Sequence, residues 1–335
     1  MAKIRELTES WAQNTWREQL SAIEVEDKIS ERLLDVLEEF GLTEKNVTGE
    51  SVTRLKRTAE DLFIRGLDIS YSKAFDMAYS ENPPKLPILF LRNVASKFDF
   101  AAAPQERFEG LMARGLRTFP SLLRDRDFGE NLQRLFGSEG LSDAELSVVV
   151  NPEEDIPQHT DVLLHLRGQD YRLWLYQFTS RGLPHDIERV LGRRGELPKG
   201  IHVLCPLKTD LVLNKEKLER RLHWLTSRLA SINLKHEKYK NKDCKGAVDC
   251  RQTSQQLDSD IKQTEKELKE VSPGADSEIC TINGWYFYSE QKIRALIKQI
   301  VDVSEKKTRP DSYPDVCRIL VAPEKYLGEI RFFSK

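Results

Sequence analysis

Asp161 opens one apolar stretch (DVLLHL), and Gln177, Thr179 and Arg181 follow or close the next (YRLWLYQF). An acid at the start of one strand and an amide, a hydroxyl and a guanidinium at the end of its neighbour would converge at one end of a hairpin. Oxygen ligands beside a cation suit metal-dependent cleavage of a phosphodiester, or a worn-down relative of such a site. With the turn at Gly168-Gln169 or Gln169-Asp170, Asp161 is expected opposite one of residues 176–178. Leu173, Leu175, Gln177 and Thr179 then share one face of the second strand, and Trp174, Tyr176 and Phe178 the other. Asp161 and Gln177 are expected to approach each other on one face.

The plainer alternatives use the same residues. A strand-initial Asp also serves as a turn or capping group, and a Gln near a strand end commonly hydrogen-bonds backbone. His159, His165 and His185 near Asp161 are a further candidate metal cluster, without diagnostic ligand spacing. Arg181, Arg189, Arg193, Arg194 and Lys199 form a basic group suited to nucleic-acid backbone contact. Its alternative is a solvated helix end whose cations favour the negative end of the helix dipole.

The elements that would position these groups follow from periodicity. Residues 1–80 read as helices, with Trp16, Leu20, Ile23, Ile29, Leu33 and Leu37 at helical spacing, and Pro83-Pro84 mark a boundary. Residues 86–98 read as a strand or a buried helical turn. Pro104 starts a better helix with Glu106 and Glu109 in its opening turns, a further helical segment spans 122–136, and LSVVV at 146–150 is a strand. A helix is expected at 184–191 and a strand at 201–204, closed by Pro206. Leucines and isoleucines recur at heptad spacing over 218–239 and again over 257–271. The polar tip at 240–251 makes these an antiparallel helical hairpin, ended by Ser272-Pro273-Gly274. Beyond it come a strand pair turning at Asn283-Gly284, an amphipathic helix at 292–303, a buried strand at 317–322 and a terminal edge strand at 330–333. These strands are expected to complete the sheet begun before the hairpin.

A helix with an acid, a strand, an Asp-initiated strand, a hairpin with a polar-x-polar end, a helix and a strand follow one another over roughly residues 100–207. This succession resembles the core of the PD-(D/E)xK, or restriction-endonuclease-like, nucleases. The resemblance implies Mg²⁺ or Mn²⁺ as cofactor, with Asp161 at the family's strand-initial Asp and Gln177 and Thr179 where an acid and a Lys stand. The helix acid is Glu106 or Glu109, with Glu109 as the metal ligand beside Asp161 and Gln177. Gln177 can supply a carbonyl ligand, but Thr179 lacks the charge of Lys, for which Arg181 is the nearest substitute.

The expected fold is α/β, a mixed sheet with flanking helices, in three parts. A helical region covers 1–84, an α/β nuclease-like domain 85–212 plus 275–335, and an inserted antiparallel coiled-coil hairpin 213–274. The 335 residues carry a net charge of −2 with 32 % charged side chains, so nucleic-acid affinity must come from local patches. Residues 1–16 contain no continuous apolar run and no stretch approaches the ~20 residues of a membrane span, so neither a secretory signal nor membrane insertion is expected. Five cysteines with no zinc-ligand spacing imply reduced thiols and a cytoplasmic chain. No phosphate-binding glycine loop, dinucleotide fingerprint, GxSxG or CxxC is found, which argues against an ATPase, a dinucleotide enzyme, an α/β hydrolase and a thiol oxidoreductase. The first functional reading is a nuclease-like protein acting on DNA or RNA; by resemblance, such cores are frequent in bacterial restriction and anti-phage defence. The alternative is a non-catalytic scaffold or sensor that binds a protein partner, or itself, through residues 214–271.

Overall fold

A computed structural model describes residues 5–6, 92, 105–138, 146–150, 160–177, 199–239, 245–282, 285–312 and 329–334. The elements, in chain order, are α1 (Gln105–Ser138), β1 (Leu146–Val149), β2 (Val162–Leu166), β3 (Gln169–Gln177), β4 (Ile201–Leu207), α2 (Thr209–Tyr239), α3 (Lys245–Glu278), β5 (Ile279–Ile282), β6 (Trp285–Tyr288), α4 (Glu290–Ser304), β7 (Asp311–Ser312) and β8 (Arg331–Ser334). The expected mixed α/β architecture with a mixed sheet and flanking helices is present. Of the strand or buried helical turn expected at 86–98 only Arg92 is described, and it is helical; the strand at 317–322, the helix at 184–191, and all but Arg5 and Glu6 of the helices expected before residue 80 lie outside the described residues.

Six strands form one sheet in the order β1-β2-β3-β4-β8-β7. β1, β2 and β3 are successively antiparallel, β4 is parallel to β3, β8 is antiparallel to β4, and β7 is parallel to β8. Alternation sorts the side chains. Val162, Leu164 and Leu166 of β2, Leu173 and Leu175 of β3, and Val203, Cys205 and Leu207 of β4 join one buried cluster with α1 and α4. The opposite face is also buried at Leu163, Trp174, His202, Leu204 and Phe333. There the Trp174 indole donates to His202 Nδ1 (3.3 Å), and the His202 ring stacks on Phe333. Central strands covered on both faces explain the near-continuous apolar runs in the sequence.

Several expectations require correction. The two helical segments expected at 104–119 and 122–136 are one helix, α1, which runs through Pro120. Buried Phe119 and Leu123 anchor it on either side of that proline, with Phe119 edge-on to Trp285. Interior proline costs about 3 kcal/mol, which this packing offsets. α1 also lies so close to the end of β1 that a Cβ on Gly129 would meet Val150 Cγ2 at 2.2 Å.

The β2–β3 turn is Arg167-Gly168, with φ of 50° and 77°, and not Gly168-Gln169 or Gln169-Asp170. A two-residue hairpin of the primed type needs positive φ at both positions, and this choice leaves Gln169 and Asp170 free to pair with Leu166 and His165. β4 continues through Pro206 to Leu207. Among the described residues β8 pairs with it only as far as Leu204, so Pro206 interrupts no described pairing on that side.

β5 and β6 form the expected antiparallel pair but make their own two-stranded sheet and do not extend the main one. β8 is not an edge strand; it lies between β4 and β7, a two-residue strand too short to leave a sequence pattern. α4 matches its expected span. Ser289 caps it by accepting from Lys292 N–H (3.0 Å), and Glu290 sits in its first turn.

α2 and α3 pack side by side, with Leu218, Leu225, Leu257 and Thr264 buried at seven-residue intervals. Lys215 reaches Asp276 (2.7 Å) and Ser254 reaches Asn233 (3.0 Å), so the two run antiparallel. α3 begins at Lys245, within the expected tip, and does not end at Pro273. Its last turn is held by buried Ala275 and by the Asp276 and Glu278 ion pairs, which offset the lost backbone bond. No helix among the described residues is long and apolar enough to cross a membrane.

A buried ion pair ties Arg5 to this core. Its guanidinium donates to Asp127 Oδ1 (2.9 Å) and Oδ2 (2.8 Å) and to the Tyr288 carbonyl (2.8 Å). Removing one partner strands a buried charge, so Asp127→Ala is expected to lower stability by about 3–5 kcal/mol, read as a fall in the urea midpoint. A loss below about 1 kcal/mol would show that the pair contributes no net stability.

Candidate functional site

β3 and β4 are parallel, so their carboxyl ends open at the same edge of the sheet, the position where open α/β sheets bind ligands. Asp161, one residue before β2, lies three residues short of this edge. Its N–H donates to the Leu173 carbonyl (3.1 Å), and its carboxylate Oδ2 accepts the N–H of Leu175. The side chain thus continues the hydrogen-bond ladder one step beyond the end of the strand. The register sets Asp161 opposite Trp174, not opposite residues 176–178 as expected. The earlier turn accounts for the shift, since every cross-strand pair moves with it.

Gln177 therefore lies three residues beyond the partner of Asp161, roughly 10 Å along the strand at ~3.3 Å per residue. Its backbone is opposite Leu207, and its side chain lies outside the described residues. The side chains of Glu106 and Glu109, on α1, are likewise outside them, as are Thr179, Arg181, Arg189, Arg193 and Arg194 entirely. Lys199 is exposed at the amino end of β4, the opposite end of the strand from Asp161, where its carbonyl accepts from Arg172 Nε (3.4 Å). His165 pairs with Asp170 across the hairpin and is not directed to Asp161. Among the described residues no three His, Cys, Asp or Glu side chains are grouped to hold a metal ion. Of the implied ligand set only the Asp161 side chain is described, and one of its oxygens is engaged by Leu175. A hard divalent cation takes about six oxygens, so the described residues alone do not constitute that site.

The same edge gathers groups that sequence reading did not single out. Tyr288, fully buried and edge-on to Phe128, donates its hydroxyl to the Cys205 carbonyl (2.8 Å). Its hydroxyl is held well above the ordinary phenol range, first by burial, with the charges around it including those of Arg124, Asp125 and Asp161. Nearby, Lys292 Nζ lies 2.7 Å from Glu278 Oε2, and Lys208 Nζ lies 3.7 Å from Glu278 Oε1. Two lysines converge on one glutamate and leave an excess positive charge just past the end of β4. Thr209, the next residue, has a buried hydroxyl with no hydrogen-bond partner among the described residues. Lys208 was legible as a cation directly after a strand. Glu278 and Lys292 come from elements distant in sequence, and no spacing rule links them to Lys208.

Burial pushes the Cys205 thiol up to about 12, opposed in part by Lys292. No protein-family model, curated protein or solved structure matches the chain.

Two outcomes are expected here. Asp161→Ala removes the acceptor for Leu175 N–H and should cost about 1–3 kcal/mol in chemical denaturation, whereas Asp161→Asn keeps an acceptor oxygen and should cost clearly less. Equal losses would contradict the ladder role. Cys205 should remain unlabelled by maleimide at pH 8 in native buffer and become labelled in denaturant, as read by peptide mass spectrometry. Rapid native labelling would contradict its burial as a protonated thiol.

Proposed function

We propose that this chain is a nuclease-like protein that binds or cleaves DNA or RNA, with the carboxyl ends of β3 and β4 as its working edge. The observation that carries the reading is the order and direction of the elements. A helix, three successively antiparallel strands and a fourth strand parallel to the third accompany an acid at the start of the second strand. That succession agrees with the restriction-endonuclease-like core implied by the sequence. In this reading Asp161 is the acid of the site, Mg²⁺ or Mn²⁺ is its ion, and Lys208 and Lys292 add positive potential where a phosphate would lie. Gln177, Thr179, Arg181 and Glu109 keep the roles implied by the resemblance, with Arg189, Arg193, Arg194 and Lys199 as backbone contacts. A setting in bacterial restriction or anti-phage defence, in the cytoplasm, belongs to the same reading.

The proposed domain plan follows. Residues 85–212 and 275–335 form the nuclease-like unit, and α2 and α3 are an antiparallel coiled-coil hairpin inserted at 213–274, after a helical region over 1–84. One observation favours the scaffold alternative. Trp224 and Leu234 on α2 are 56 % and 69 % exposed, unusual for large apolar side chains on a helix without a partner.

The test is incubation of the purified chain with end-labelled single-stranded and duplex DNA and RNA in Mg²⁺ or Mn²⁺. The wild type is expected to cleave at least one of these. Asp161→Asn, folded by circular dichroism, is expected to lose at least 100-fold in rate, about 2.7 kcal/mol of barrier. A wild type that neither cleaves nor binds any of the four would overturn the reading.

A further inference from the structure

The outward surface of α2 carries a single-sign stripe interrupted by an aromatic ring. At ~100° per residue, Lys217, Arg220, Arg221, Arg228 and Lys235 all fall within ~60° of Trp224 on the helical wheel. All five cations are exposed, and the stripe is ~27 Å long at 1.5 Å per residue. Between Lys217 and Lys235 no acid of α2 falls in this sector. Glu219 and Glu237 lie ~140° away from Trp224, and Glu216, at its margin, accepts from the Tyr286 hydroxyl (3.0 Å). The side chains that pack against α3, Leu218 and Leu225 among them, are centred ~120° away, so the stripe is not the seam between the helices.

A run of like charges along one side repels itself and gains nothing from the fold. Trp224 makes a solvated salt-bridge face an insufficient account. Its ring is 56 % exposed, and the Arg228 guanidinium lies over it, 5.4 Å from the ring centroid. A cation over an indole fixes the ring's orientation while more than half of its surface stays in water. Cations spaced along a track, with an exposed aromatic platform among them, are the two components of single-stranded nucleic-acid binding. The cations neutralise phosphates and the ring stacks a base.

We infer that the Lys217–Lys235 face of α2 is a docking surface for single-stranded DNA or RNA, with Trp224 as its stacking platform. The occupant follows from charge complementarity along the stripe and from the aromatic ring within it, which an acidic polypeptide would not need. The inference extends the nucleic-acid reading above and supplies it with a substrate track. It does not depend on Asp161 being catalytic.

The experiment is fluorescence anisotropy of a labelled 20-nucleotide single strand titrated with the full chain in EDTA, repeated across a salt series. The variants are W224A, W224F and R220E/R221E, each checked for helicity by circular dichroism. Expected are wild-type binding that weakens with salt and a loss of about 5- to 100-fold in W224A, with partial retention in W224F. R220E/R221E should lose at least tenfold and lower the salt slope by about 1.4, from ~0.7 per phosphate contact on a single strand. Folded W224A and R220E/R221E proteins with wild-type affinity would overturn the proposal. So would displacement by polyglutamate as effective as by unlabelled oligonucleotide, or a preference for duplex unaffected by W224A. Cleavage with no W224A effect on binding would sink the surface and leave the nuclease reading standing. Binding lost in W224A without cleavage by the wild type would leave the surface standing and remove only the cleavage half of the nucleic-acid reading.

Discussion

The parallel pairing of β3 with β4 is the constraint on which the rest of the structure depends. Seven consecutive register pairs, from Tyr171–Ile201 to Gln177–Leu207, join two strands covered by side chains on both faces. Parallel neighbours cannot be joined by a tight turn, so the chain must leave the sheet and return. That return brings both carboxyl ends to one edge. Lys208 and Lys292 meet Glu278 just past the end of β4, Tyr288 reaches the Cys205 carbonyl, and Asp161 lies three residues short of the end of β3. Arg5 and Asp127 tie the other side of Tyr288, through its carbonyl, into the same core.

Much of the fold was legible where a period was sustained. The heptads of 218–239 and 257–271 run long enough for the 3.5-residue spacing to be unmistakable, and Leu218, Leu225 and Leu257 are buried accordingly. The Asn-Gly signal marked the β5–β6 pair, and LSVVV marked β1. Illegible features had local rules that tertiary structure overrode. Pro273 read as a stop and the segment at 122–136 as a separate helix, yet buried Phe119, Leu123 and Ala275 hold α1 and α3 through their prolines. The Arg167-Gly168 turn required a non-glycine residue at positive φ, which disfavoured it locally, and its one-position offset shifted Asp161 to Trp174. The position of β8 between β4 and β7 is a long-range pairing that four residues of sequence do not encode by themselves.

The candidate site was legible in part for a physical reason. Asp161 is conspicuous as the acid that opens an apolar strand, and it lies three residues short of the edge where β3 and β4 end. The charged groups just past the end of β4, Lys208, Glu278 and Lys292, meet through ion pairs between elements that no motif joins. The Asp161 carboxylate also carries a structural burden, since it accepts the Leu175 N–H that β2 leaves unpaired. A structural role and a chemical one are therefore superposed on one side chain, and loss of activity in an alanine variant alone would not separate them. The α2 stripe is independent of this ambiguity, because Trp224 and its flanking cations lie outside the core.

The most direct measurement of the central claim is photo-crosslinking of a bound oligonucleotide carrying halogenated or thiolated bases, in EDTA, with the adducts mapped by peptide mass spectrometry. The account predicts adducts on peptides containing residues at or near the β3–β4 edge, around Asp161 and Lys208, together with peptides containing Trp224. Adducts confined to other surfaces, or none at oligonucleotide concentrations that saturate a control binding protein, would contradict it.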